Sequence, residues 1–151
     1  MAQRTELTLS QIMLPHQANL GGHVHGGEIF KLMDMAGGAV CQQYANTVIV
    51  TARVDEMQFT APVLVGDCVS CKARIICVGK TSMDVLITVD AESLKTGEGP
   101  RRVASALSTH VSIGGDGRPK KVEPLVLESE EQRRLFALAQ ERRAERRGPL
   151  G

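Results

Sequence analysis

Asp34 stands midway along GGEIFKLMDMAGGAVCQQYAN (26–46), among Ile29, Met33, Ala36 and Val40. Those apolar residues recur at steps of four, three and four, the spacing of one helical face. An ionised carboxylate is rarely buried without a partner, because desolvation costs several kcal/mol or raises its pKa. Such a helix must expose Asp34 in a cleft or pair it. Its ordinary partner would be Lys31 or a lysine on another element; its chemical role would be general base or nucleophile. At the start of the same helix stand Gly26 and Gly27, preceded by Asn19-Leu20-Gly21-Gly22-His23-Val24-His25. A helix N-terminus offers free N–H groups and the positive end of the macrodipole, and glycine lets a ligand approach the backbone. An oxyanion suits that place, although a glycine pair also serves simply to turn the chain.

Other residues invite chemistry less directly. Gly37 and Gly38 each cost the helix about 1 kcal/mol relative to Ala, so a neighbouring helix or a ligand's acyl chain should pack against them. His23 and His25 form an H-x-H pair that, with His16 and Asp34, resembles a metal-ligand set. Cys68-Val-Ser-Cys71 has redox spacing, and Arg142, Arg143, Arg146 and Arg147 crowd the C-terminal segment, where they could meet RNA or an acidic ligand.

These residues need elements to position them. A strand is expected over Glu6 to Leu14, a Gly- and His-rich loop over His16 to His25, and the helix over Gly26 to Asn46. That helix is apolar on its other faces too (Phe30, Leu32, Met35, Ala39), so it should be enclosed. The period then changes to two: strands are predicted over Thr47 to Thr60, Cys68 to Val78, Ser82 to Asp90 and Arg101 to Ile113. In the second of these Val69, Cys71, Ala73, Ile75 and Cys77 share one face. Cys68 and Cys71, three apart on a strand, point to opposite faces and do not pair; filling of a ring-poor core explains them better. The hairpin-length links are too short for parallel crossovers, which gives an α+β domain, mainly antiparallel, with the helix on one face. Ser129 and Gln132 then mark a capping box for a C-terminal helix with acidic start and basic end, expected to be solvated or frayed.

Composition narrows the class. The 151 residues suit one domain; 42% are hydrophobic and 23% charged, neither disordered nor membrane-spanning in character. Only 3% are aromatic, with no Trp, and 15 glycines thin the side-chain mass further, so the subunit is a candidate for oligomerisation. A net charge of +1 carries no global nucleic-acid footprint, and no stretch serves as a signal peptide or membrane span; a cytoplasmic protein is the expectation.

Asn19, Gly26-Gly27, Asp34 in LMDMAGG, TARVDEMQFTAPVLVGD (51–67) and GKTS (79–82), taken in order, resemble the bacterial acyl-CoA thioesterases of the hotdog fold. The resemblance runs over roughly Leu7 to Pro124. It implies a long central helix wrapped by a curved antiparallel sheet, with a hotdog domain at 1–124 and a charged helix and tail at 125–151. It also implies a homodimer joined edge to edge by its sheets, often built into a trimer of dimers, acting on acyl-CoA without a cofactor or metal. Carried over, Asp34 matches the catalytic acid and Asn19 its partner from another subunit. Gly27 matches the N–H that polarises the thioester carbonyl, a donor whose loss typically costs roughly 3 to 4 kcal/mol. Asp34 would be a general base on water positioned by Asn19, or a nucleophile forming an anhydride. His25, Gly26 and Thr51 are the implied substrate contacts. CoA phosphates are placed near Gly79, Lys80, Thr81 and Ser82, with Arg101 and Arg102 as helpers or as plain edge-strand charge.

Two rival readings remain. A hotdog hydratase would need a histidine with the acid at the site. A non-catalytic acyl-CoA binding or sensing protein would use the same pocket without turnover.

Overall fold

The structure, a computed structural model, describes residues 3–145. In chain order it contains β1 (Glu6–Ile12), a 3-10 turn (Pro15–Gln17), α1 (Gly26–Ala45), β2 (Val48–Phe59), β3 (Asp67–Val78), β4 (Ser82–Ser93), β5 (Arg101–Ile113) and α2 (Glu130–Glu145). The strands form one antiparallel sheet in the order β1-β3-β4-β5-β2. α1 lies across one face and touches all five strands. The expected α+β arrangement is therefore present, and its element bounds follow the periodicity closely.

The core between α1 and the sheet is built from small and branched side chains. Ile29, Leu32, Met33, Ala36 and Val40 face Val69, Cys71, Ala73, Ile75, Val85, Ile87, Val89, Ala104 and Ala106. β1 ends at Ile12, short of the expected Leu14, because Pro15 opens the 3-10 turn; Met13 is buried there while Ile12 and Leu14 are exposed. Asn46 ends α1 in the left-handed conformation, with φ of 55°.

Three expectations need correction. α1 is not enclosed by its own chain: Phe30, Asp34 and Met35 lie on an exposed face, Met35 at 56% exposure. One sheet covers one side of a helix, and the apolar far side is left for something else. Cys77 does not share the face of Val69, Cys71, Ala73 and Ile75. A bulge between Ile75 and Cys77 turns it to the outer side, where it packs with Ile76, Leu135 and Ala139. Finally, α2 is docked rather than solvated. Its Leu135, Phe136 and Ala139 cover Leu86 and Leu107 on the outer sheet face. The capping box is formed: Ser129 Oγ accepts from the Gln132 N–H at 3.1 Å, and Gln132 Oε1 accepts from the Ser129 N–H at 2.9 Å. Arg146 and Arg147 lie outside the described residues.

Candidate active site

The N-terminus of α1 is open. His25 is the N-cap residue, and among the described residues no side chain caps the helix. A Cβ built on Gly27 would meet nothing within 4 Å, so the backbone there is open to a ligand's approach; at Gly26 a Cβ would lie 3.3 Å from the Phe59 ring. The preceding loop is held by Asn19, whose Oδ1 accepts from the N–H groups of Gly21 (2.9 Å) and His23 (3.2 Å). That turn orders the segment leading to the helix and leaves the Asn19 amide nitrogen outward on an exposed residue.

Asp34 lies seven residues beyond Gly27, a spacing that returns to the same helical face about 10 Å further along the axis. A group that touched both the Gly27 N–H and the Asp34 carboxylate of one chain would have to span most of that separation. Asp34 is exposed and forms no ion pair with Lys31; instead Thr51 Oγ1 donates to its Oδ1 at 2.7 Å. Thr51 sits on β2 directly opposite His110 of β5, so its side chain shares the sheet face on which His110 is buried. Beside this pair a narrow, largely apolar pocket is lined by Phe30, Met33, Asp34, Val54, Met57 and Ser108.

Gly37 is explained by neither a second helix nor an acyl chain. A Cβ there would come 2.8 Å from His110 Nε2 and 3.2 Å from Ile87 Cδ1. His110 and its neighbour Ser108 are buried polar residues on β5 that motif reading overlooked. The signal was there: Ala104, Ala106, Ser108, His110 and Ser112 alternate onto the core face, so polar side chains had to be satisfied inside.

The phosphate-binding candidates separate. Gly79, Lys80, Thr81 and Ser82 turn between β3 and β4, whereas Arg101 pairs with Ala91 in the register at the far end of the β4–β5 hairpin. Within one chain they form no common site. Arg101 is committed to the buried Asp67 at 2.8 Å and to the Pro62 carbonyl at 3.0 Å, anchoring the turn before β3. Arg102 pairs with Asp90 at 2.7 Å. Besides Lys80, the cation beside the 79–82 turn is Arg143 of α2, which donates to Ser82 Oγ at 3.1 Å and to the buried Asp84 at 2.6 Å.

His16, His23, His25 and Asp34 do not converge, and the described residues contain no group of three His, Cys, Asp or Glu placed to hold a metal ion. Cys41, Cys68, Cys71 and Cys77 are all free. Burial pushes the Cys71 thiol up to about 12 and raises Cys41 further, with the Asp84 charge adding to the effect at Cys41. These thiols are core filling.

A long helix crossing one face of a five-stranded antiparallel sheet, with an open N-terminus and an acid on its free side, is the hotdog arrangement. The Thioesterase superfamily model matches residues 21–98, and the chain belongs to that superfamily. It is 34% identical over 133 residues to the cytosolic acyl coenzyme A thioester hydrolase of Mus musculus, covering 87% of this chain but 35% of the mouse protein. The chain thus spans about a third of that relative's length. To the acyl-CoA thioester hydrolase YciA of Salmonella typhimurium it is 34% identical, over 76% of this chain and 88% of that one. The crystal structure of an apo-hexameric acyl-CoA thioesterase superimposes with a TM-score of 0.89 at 29% identity, covering 95% of this chain and 91% of the other.

Proposed function

We propose that the protein hydrolyses acyl-CoA to a free fatty acid and CoA, as a homo-oligomer with no cofactor. The observation that carries this reading is Asp34: an exposed carboxylate anchored through one oxygen by Thr51 and lining a narrow, largely apolar pocket. With Oδ1 held, Oδ2 is available to a water molecule. Asp34 takes a proton from that water as the oxygen attacks the thioester carbon. The Gly27 N–H at the helix N-terminus stabilises the oxyanion, and Asn19 holds the water. When the intermediate collapses the C–S bond breaks, and the proton passes from Asp34 to the thiolate. The axial separation of Gly27 and Asp34 supports a site in which a second subunit supplies Asn19 and Gly27.

His25 and Gly26 flank the carbonyl position. The CoA phosphates lie at Gly79, Lys80, Thr81 and Ser82, with the exposed Lys80 supplying the charge and Arg143, paired with Asp84, bracing the turn. Arg101 has a structural role, and Arg102 contributes only by leaving Asp90. Residues 1–124 form the catalytic unit, with α2 bracing it. The hexameric relatives support a trimer of dimers. The free thiols, and a mouse relative called cytosolic, favour the cytoplasm. Within one chain the histidine linked to Asp34 is His110, and its full burial behind Thr51 keeps it from the substrate contact that hydratase chemistry needs.

The test is thiol release from acyl-CoAs of graded chain length, with the wild type and Asp34→Asn. Hydrolysis by the wild type that Asp34→Asn abolishes is expected; binding without release by both proteins would make this a binding or sensing module. Single turnover in oxygen-18 water separates the two routes. Label recovered in Asp34 would replace the general base with the anhydride.

A further inference from the structure

Behind the candidate site lies a buried polar pair that the hydrolysis above does not use. His110 is 0% exposed and Ser108 3%. His110 Nε2 lies 2.8 Å from Ser108 Oγ, and its Nδ1 lies 3.4 Å from Thr51 Oγ1, which in turn donates to Asp34. Counting hydrogens fixes the direction. A hydroxyl has one proton, and Thr51 gives it to a carboxylate that only accepts, so toward His110 the Thr51 oxygen can only accept. Nδ1 must therefore carry the ring hydrogen, and Nε2 then accepts from Ser108. Three hydrogens point one way, from the sheet interior toward Asp34.

Two further observations fit. Helix α1 has no side chain at Gly37, where the ring approaches most closely. The ring is kept neutral, because burial lowers its pKa against the opposing pull of the Asp34 and Asp84 charges. A neutral ring with one hydrogen is what a directional chain of donors requires.

We propose that His110, backed by Ser108, is a positioning residue for the hydrolysis: its Nδ1–H holds the Thr51 hydroxyl so that the Thr51 proton stays on Asp34 Oδ1 and Oδ2 remains free for water. This rests on the thioesterase reading, and it differs from a plain core histidine in acting through Thr51. Removing the ring should lower kcat by about tenfold or more while KM changes little, since a small misplacement of a reacting group is costly. His110→Asn, whose amide nitrogen can occupy the Nδ1 position, should recover part of that loss.

The deciding experiment is a cycle of His110→Leu, Thr51→Val and the double variant, with nitrogen-15 NMR of the wild-type histidines. The expected results are a double variant no slower than Thr51→Val alone, and an Nδ1–H tautomer for His110 at neutral pH. Losses that multiply, or a His110→Leu kcat within about twofold of wild type, would overturn the proposal. So would an Nε2–H ring or an imidazolium, a result obtainable whether or not the variants fold. If the wild type hydrolyses no acyl-CoA, the thioesterase reading fails separately, and the tautomer still decides the hydrogen-bond arrangement.

Discussion

Gly37 and His110 form one steric unit, since a methyl group on the first would press on the second. Gly37→Ala gains helix propensity but places its Cβ 2.8 Å from His110 Nε2, so we expect a net loss of roughly 1–3 kcal/mol from overpacking. Adding His110→Ala should relieve the clash, and thermal denaturation of both proteins checks it. Protonation of His110 supplies a second expectation at this scale. Burial holds its pKa below the ordinary 6.5, so the unfolded chain binds a proton that the folded chain refuses. Its contribution is complete above pH about 6.5 and is lost as pH falls below it. Tm measured from pH 7 to 5 should fall more steeply for the wild type than for His110→Leu; parallel curves would contradict this. Asp34 was legible in the sequence because an acid in an apolar helical stretch conflicts with its surroundings. The link from His110 to Asp34 was not, because it runs through Thr51, which only strand pairing brings beside the ring.

The strands and α1 were legible as elements because periodicity and turn residues act locally. What α2 does was not, because the outer apolar patch of Ile76, Leu86 and Leu107 is a product of sheet register and of the bulge at Cys77. The residue that pins α2 is Arg143, bridging the buried Asp84 and Ser82 over the Gly79 turn, where its Nη1 would lie 2.8 Å from a Cβ. Because the Arg143 side chain is 29% exposed and Asp84 only 4%, Arg143→Met should cost roughly 1–3 kcal/mol, between the surface and buried limits. Beyond the fall in Tm, trypsin should cut sooner at Arg133 and Arg134. Unchanged Tm and unchanged cleavage would show that the apolar contacts alone hold the helix. If the nearby turn carries CoA phosphates, the same variant should also raise KM for acyl-CoA.

At the scale of the whole molecule, the ring-poor chain leaves apolar surface where a second copy would sit. β2 is a sheet edge of 12 residues carrying exposed Val48, Val50 and Phe59, and the free side of α1 adds Phe30 and Met35. A long apolar edge strand is an aggregation hazard unless it is paired, so the edge calls for a partner strand. Val50→Lys should therefore yield monomers in light scattering, with hydrolysis lost although Asp34, Thr51 and Asn19 are intact. Complementation tests the division of labour directly. If Asn19 and Asp34 of one site come from different subunits, Asn19→Ala and Asp34→Asn oligomers are each inactive. Mixed by reversible unfolding, their hybrids regain one unmodified site in each two-fold pair, and activity should return to about a quarter of wild type. If both residues came from one chain, no mixture could rebuild a site and activity would stay at the level of the parents. The separation of Gly27 from Asp34 along one helix argues for the first result, because a partner's helix N-terminus and its Asn19 loop could approach Asp34 from the free side of α1.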